Sequence, residues 1–475
     1  MSNFLSGVIE GFYGRPWSPD QRRELFHWLQ RAGLKAYLYA PKDDLKHRVL
    51  WRAPYDAAEL DALRKLVHDC QSHGLEFIHA LAPGLDIRFS EAAELDALLD
   101  KLEALAELGV TSFALLFDDI PARLAPPDEA RFGTPAAAQA WLANQALDRL
   151  KEAIPFPKLL FCPTVYCGRM ARPSVAEDPY LRELGEKLGP AISVFWTGPH
   201  IVSETIPEES LAEAAAVLRR PPVIWDNLLA NDYDPRRLYL GPYAGRPPTL
   251  PERAAGVLLN PNCQFAANFV GVHTLGQFLR APETSPETAR QHALKEWLSR
   301  FEPATGEPVT GEELQLLSDL LHLPTEFGPG GRAFLRDLDT VRRQPLEQWE
   351  GADGRITECC HRLETLYEKL TRLKDRDLAH ALYAHAWELK ELGLFLRDWL
   401  VWRRAHPEAR KGFRSPDYRP GIFRGSFGAI LERRFPVPDA DAFPGEPPAG
   451  KRPKITPRRP RKRAPKRPAP PPRQP

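Results

Sequence analysis

The amino-acid sequence predicts an α/β protein whose main part is a (β/α)8 TIM barrel, followed by an α-helical stalk or bundle and a disordered basic C-terminal tail. Three observations lead there. From residue 5 to about 265, eight short apolar runs alternate with amphipathic segments of helical period. A stretch of about 260 residues is the size of one such barrel. The runs close on carboxylates, amides and large aromatics, the residue types expected where barrel strands pass into their active-site loops.

In chain order the runs are LSGVIEG (5–11), KAYLYAP (35–41), LEFIHALAP (75–83), SFALLFDD (112–119), KLLFCPTVY (158–166), ISVFWTG (192–198), PVIWDN (222–227) and AGVLLNPN (255–262). Their β-branched and aromatic content with flanking Gly, Pro and Asn reads as buried strands. Helices lie between them, such as 18–33 with a Ser cap and a Gly stop, and 59–74, also closed by Gly. From 286 to 410 the apolar spacing is i, i+3, i+4, in 312–323, 356–375 and 380–404, and predicts an antiparallel helical stalk. Residues 413–436 are too rich in Pro and Gly to assign. The expected domains are 1–285, 286–436 and 437–475.

The 475 residues are 43% hydrophobic and 10% aromatic, enough for a large core. No run reaches the roughly 18 apolar residues of a membrane span, and the N-terminus lacks the basic and apolar regions of a signal peptide. The six cysteines have no metal-site or disulfide-framework spacing, so a reducing, cytoplasmic setting is expected. The net charge of +1 hides an asymmetry: residues 451–475 hold eleven Lys or Arg, nine Pro and no acid, which leaves −10 on residues 1–450. That tail has little to bury and is expected to contact polyanions or to act only as a solubilising appendage.

The strand ends carry the chemistry. Strand one ends in Glu10, Gly11 and Tyr13, strand two in Lys42 and Asp43, strand four in Asp118 and Asp119, and strand five in Tyr166. Trp196 and Thr197 follow strand six, Trp225, Asp226 and Asn227 strand seven, and Asn260 and Asn262 strand eight. Amides, one cation, acids and aromatic faces suit a polyhydroxylated ligand with an amide, because hydroxyls need fixed partners and a sugar's C–H face packs on rings. Nucleotide-binding glycine motifs and a GxSxG elbow are absent. Asp43, Asp44, Asp118, Asp119, Asp226 and Asp232 could hold a divalent cation, but Lys42, Asn227 and Asn260 interleave with them, so no metal is expected. Two adjacent acids at one strand end are a helix cap or turn in the plain reading, and a pair with separated proton affinities in the chemical one.

At these same ends the chain resembles glycoside hydrolase family 84, the β-N-acetylglucosaminidases of the protein O-GlcNAcase type. The matching segments include GVIEGFYGRPW (7–17), YLYAPKDDLKHR (37–48), FALLFDDI (113–120), FCPTVYCG (161–168), VIWDNLLANDYD (223–234) and NPNCQFAAN (260–268). The resemblance implies a retaining exo-β-N-acetylglucosaminidase that needs no cofactor. In its substrate-assisted mechanism the 2-acetamido carbonyl attacks the anomeric carbon and gives an oxazoline, one of the exceptions to the usual pair of opposed carboxyls. By position in the motifs, Asp118 would orient the acetamide and Asp119 would be the general acid, then base. Gly11 would give a backbone contact, and Lys42, Asn227, Asp232 and Asn260 would bind the hydroxyls. Tyr166 would hydrogen-bond the developing oxazoline, and Trp225 would wall the N-acetyl methyl. The segment 323–339 resembles the helical domain that forms a homodimer in animal members. The substrate expected is a GlcNAc-bearing glycoprotein. A hydrolase of GlcNAc oligosaccharides, cell-wall or hyaluronan fragments is the alternative enzyme, and an inactive GlcNAc-binding scaffold that docks through its tail is the alternative of another class.

Overall fold

The structure is a computed structural model that describes residues 4–121, 123–408, 413 and 426–434. Eight strands form a closed parallel barrel in chain order: β1 (Leu5–Glu10), β2 (Ala36–Tyr39), β3 (Glu76–Leu81), β4 (Ser112–Leu116), β5 (Lys158–Cys162), β6 (Ser193–Trp196), β7 (Val223–Asp226) and β8 (Gly256–Leu259). All eight expected runs are present as strands, and β8 closes on β1 with Val8 beside Leu259. Side chains alternate across each strand. Ile9, Leu38, Ile78, Ala114, Leu160, Phe195 and Leu258 share one buried cluster. The intervening Tyr37 turns outward and packs edge-on against Phe26 of helix Pro19–Ala32.

Local chemistry sets the helix ends. Ser18 caps Pro19–Ala32 in a reciprocal box with Gln21, and Gly33 ends it at φ 71°. The second helix begins at Ala57, two residues before the expected start, because Asp56 and Glu59 form another capping box. Beyond the barrel, helices Gly311–Leu320, Pro329–Arg343, Ala352–Thr371 and Arg376–Ala405 follow. The last two form an antiparallel hairpin. Asp353 pairs with Arg404, His361 with Arg397, and Tyr367 with Tyr383, so that residue numbers rise on one helix as they fall on the other.

This helical part is joined to the barrel by polar contacts. Leu240 N–H donates to Leu321 O at 2.6 Å, Gly241 N–H to His322 O at 2.8 Å, and the Ser318 hydroxyl to Leu240 O at 2.8 Å. The described residues through Ile430 form one compact unit. Within the unassigned segment 413–436, Ser426–Arg434 is helical. The expected disordered tail, 437–475, lies outside the described residues. Among the described residues no helix is long and apolar enough to cross a membrane.

Candidate active site

A cavity of about 400 Å³ opens at the C-terminal ends of the strands. Gly11, Lys42, Asp118, Asp119, Tyr166, Trp225, Asn227, Asp232 and Asn260 all line it, so the nine residues to which the family resemblance gave roles lie in one place. Strand alternation decides which neighbours join them. Ile9 faces the barrel interior, Glu10 turns out and Gly11 turns in. Glu10 is bound instead by Arg22 at 2.7 Å and by the Trp17 N–H at 3.0 Å. On β7, Trp225 and Asn227 reach the cavity while Asp226 is fully buried behind it. Asp226 accepts from Arg246 at 2.5 and 2.7 Å and from the Tyr243 hydroxyl at 2.9 Å. Asp43, Trp196 and Asn262 do not line the cavity either. The expectation that Glu10, Asp43, Trp196, Asp226 and Asn262 contribute to the pocket is therefore corrected.

The two acids have different surroundings. Asp118 Oδ2 accepts from Lys42 Nζ at 2.9 Å and lies 3.9 Å from Arg48 Nη1. Asp118 Oδ1 is buried and has no hydrogen-bond partner. Burial would raise the Asp118 pKa, but the Lys42 ammonium, its hydrogen bond and the Arg48 guanidinium outweigh it and hold the carboxyl below its usual range. Asp119 is more exposed and sits at φ 51°, in the left-handed region. Its Oδ1 accepts the Tyr166 hydroxyl at 2.9 Å, and its carbonyl accepts Arg48 Nη2 at 3.3 Å. Left-handed backbone costs about 1 kcal/mol outside glycine, least for Asp and Asn, so the turn is tolerable but must be held. Burial, followed by Asp119, pushes the Tyr166 phenol up, which keeps it a donor.

Opposite the acids, Asn260 Nδ2 donates to Asn227 Oδ1 at 2.9 Å, and Asn227 Nδ2 donates to Ile201 O at 2.8 Å. Asn260 Oδ1 is a second buried acceptor without a partner. Asp232 accepts the Tyr13 N–H at 3.0 Å. Trp225 is 7% exposed and stands edge-on to Phe195, with centroids 5.3 Å apart. A Cβ on Gly11 would lie 2.8 Å from the Trp225 ring, so a side chain there would displace the indole.

Several contributors escaped the sequence reading. Arg48 was legible only as the last residue of YLYAPKDDLKHR, with nothing to give its direction. Cys162 forms part of the wall, its thiol pushed up by burial and then by Asp118. Ile201, Val202, Ala230 and Tyr233 come from loops after β6 and β7. No periodicity marks such loop residues.

Residues 6–316 match the family model described as NAGidase, beta-N-acetylglucosaminidase. The chain is 30% identical to "Protein O-GlcNAcase" of Mus musculus over 650 aligned positions, covering 94% of this chain and 71% of that protein. The Rattus norvegicus protein of the same name matches to the same extent. Among solved structures, a mutant form of the O-GlcNAc hydrolase of Thermobaculum terrenum superposes with a TM-score of 0.75 at 29% identity, covering 85% of each chain. With an eight-stranded barrel and an acid-bearing cavity at its strand ends, the chain belongs to the β-N-acetylglucosaminidases of glycoside hydrolase family 84.

Proposed function

We propose that this enzyme is a retaining exo-β-N-acetylglucosaminidase working through the substrate's own acetamide, with O-linked GlcNAc on proteins as its substrate. The observation that carries this reading is Asp118: one oxygen is held by Lys42, and the other is a buried acceptor without a partner in the cavity wall. A free, ionised acceptor suits an amide N–H whose acidity rises as its carbonyl oxygen attacks C1. The C1–O bond to the aglycone breaks as the carbonyl oxygen bonds to C1, and Asp119 donates its proton to the departing oxygen. In the second half Asp119 takes a proton from water, the water oxygen bonds to C1, and the oxazoline C1–O bond returns its electrons to the acetamide. Two inversions leave the anomeric configuration retained.

Tyr166 donates to Asp119 and, in this reading, turns that bond to the oxazoline as it forms. Trp225, with Cys162, encloses the acetamide methyl. Lys42, Asn227, Asp232 and Asn260 take the sugar hydroxyls, and Gly11 gives the sugar a backbone contact while its missing Cβ lets the Trp225 indole pack close. Six unpaired cysteines are consistent with a reducing, cytoplasmic setting and with an intracellular glycoprotein substrate.

Two assembly features belong to the same reading. Tyr383, Trp387 and Val401 are exposed at spacings that place them on one side of helix Arg376–Ala405, which favours a homodimer through the helical part. The basic tail is proposed to contact a polyanion.

The test is hydrolysis of 4-methylumbelliferyl β-N-acetylglucosaminide by the purified protein, with Asp118→Ala and Asp119→Ala alongside. Asp118→Ala should lose about 100- to 1000-fold on every substrate. Asp119→Ala should lose about 100- to 10,000-fold on poor leaving groups and far less on this activated aryl glycoside. A folded but inactive wild type would favour the sugar-binding scaffold instead.

A further inference from the structure

Arg48 follows β2, and its side chain is only 7% exposed although it does not line the cavity. Its guanidinium reaches both acids from outside the pocket. Nη2 donates to the Asp119 carbonyl at 3.3 Å, while Nη1 stands 3.9 Å from Asp118 Oδ2 and has no hydrogen-bond partner. A buried donor left unpaired opposes folding, so it calls for another reason to be there. The peptide that Arg48 holds is the left-handed one at Asp119, a conformation that persists only where its surroundings impose it.

We propose that Arg48 is a positioning residue for the reaction, anchoring the Asp119 carbonyl so that the left-handed turn aims that carboxyl, and presenting a second positive charge to Asp118. The inference rests on the roles given above to Asp118 and Asp119. Lys42 cannot do this alone. It lines the cavity and can exchange its bond to Asp118 for a substrate hydroxyl, whereas Arg48 is shut away from substrate.

The groups facing Asp118 are few. Lys42, His47 and Arg48 come from the segment after β2, Asp119 from its own strand end, and Cys162 and Tyr166 from β5 and the loop after it. His47 is pushed down to about 3, by burial first and then by Lys42, and is neutral; the thiol and phenol are pushed up and uncharged. Among the described residues, the positive charge facing Asp118 therefore comes from Lys42 and Arg48. Because an opposite charge nearby lowers a carboxyl's pKa, removing the arginine should move the acid limb of kcat/KM upward.

The experiment compares the full-length wild type, Arg48→Met and Arg48→Lys by kcat/KM against pH, on aryl β-N-acetylglucosaminides of graded leaving-group acidity. Arg48→Met should raise the acid limb by about one pH unit and lose more rate on poor leaving groups than on good ones. Arg48→Lys should keep the limb near wild type yet retain the steeper leaving-group dependence, since one ammonium cannot replace a two-armed fork. Equal loss on all leaving groups with an unmoved limb would overturn the proposal, as would wild-type behaviour of Arg48→Met. Should Arg48→Met fail to fold, Arg48→Lys decides: a leaving-group dependence equal to wild type overturns it. Asp118→Asn and Asp119→Asn, run alongside, separate the two layers. Wild-type rates in those variants would sink the assignment of the acids, whereas their expected losses beside wild-type Arg48 variants would sink this inference only.

Discussion

At Asp118 two positive groups act on one carboxylate oxygen and leave the other without a partner, and this asymmetry suits the role proposed for it, an ionised acceptor of an amide N–H. Its pKa is held below the usual carboxylate range, so the charge on which the proposed mechanism relies is present above that pKa and lost as pH falls through it. The acid limb of kcat/KM should accordingly lie below that of an unperturbed carboxyl, and a limb at or above the ordinary range would contradict the ion pair. Gly11 offers a second test. Gly11→Ala would drive a methyl into Trp225 and Ile9 at 2.8 Å, so KM for the aryl glycoside should rise and stability should fall by about 1–3 kcal/mol in urea. Unchanged kinetics would show that the indole can yield. Adjacent acids after a core strand were visible as candidates in the sequence. The hydrogen bond from Tyr166 to Asp119 was not, because these residues are 47 positions apart and meet only across the β4–β5 rim.

Within single elements, period-two alternation accounts for both the successes and the corrections. Trp225 and Asn227 flank Asp226 on β7, so bringing the first two into the cavity turns the third away, where Arg246 and Tyr243 satisfy it. Asp226→Ala should leave the Arg246 guanidinium buried without its partner and cost roughly 3–5 kcal/mol in urea denaturation, with activity lost through unfolding. A loss below about 1 kcal/mol would show that water or a shift of Arg246 compensates. The loop after β2 has its own clamp. Lys101 donates to the carbonyls of Lys46, Trp51 and Ala53 at 2.6–2.9 Å, and burial pulls its pKa down to about 8, so it remains charged at neutral pH. Lys101→Met strands three carbonyls and should loosen the loop that carries His47 and Arg48, lowering stability by about 3 kcal/mol and kcat/KM with it. An active, fully stable variant would rule the clamp out.

For the whole molecule, closing the barrel carries eight strand ends to one rim, and the helical part docks on the loop after β7 through Leu240 and Gly241. Truncation after residue 449 should leave turnover of a small glycoside unchanged while reducing polyanion binding and its salt dependence. A large loss of turnover would mean that the tail serves the active site. Light scattering at micromolar concentration tests the dimer, and a monomer would end that proposal. The eight strands, the capped helices, the antiparallel stalk and the set of polar residues at the strand ends were legible along the chain, because alternation, helical period and cap chemistry are local properties. Which of those polar residues share the cavity, which are buried as ion pairs, and how Arg48 reaches both acids follow from the folded arrangement. Side-chain direction at a strand end depends on where the last pleat falls and on what packs behind it, and both are settled by parts of the chain far away in sequence.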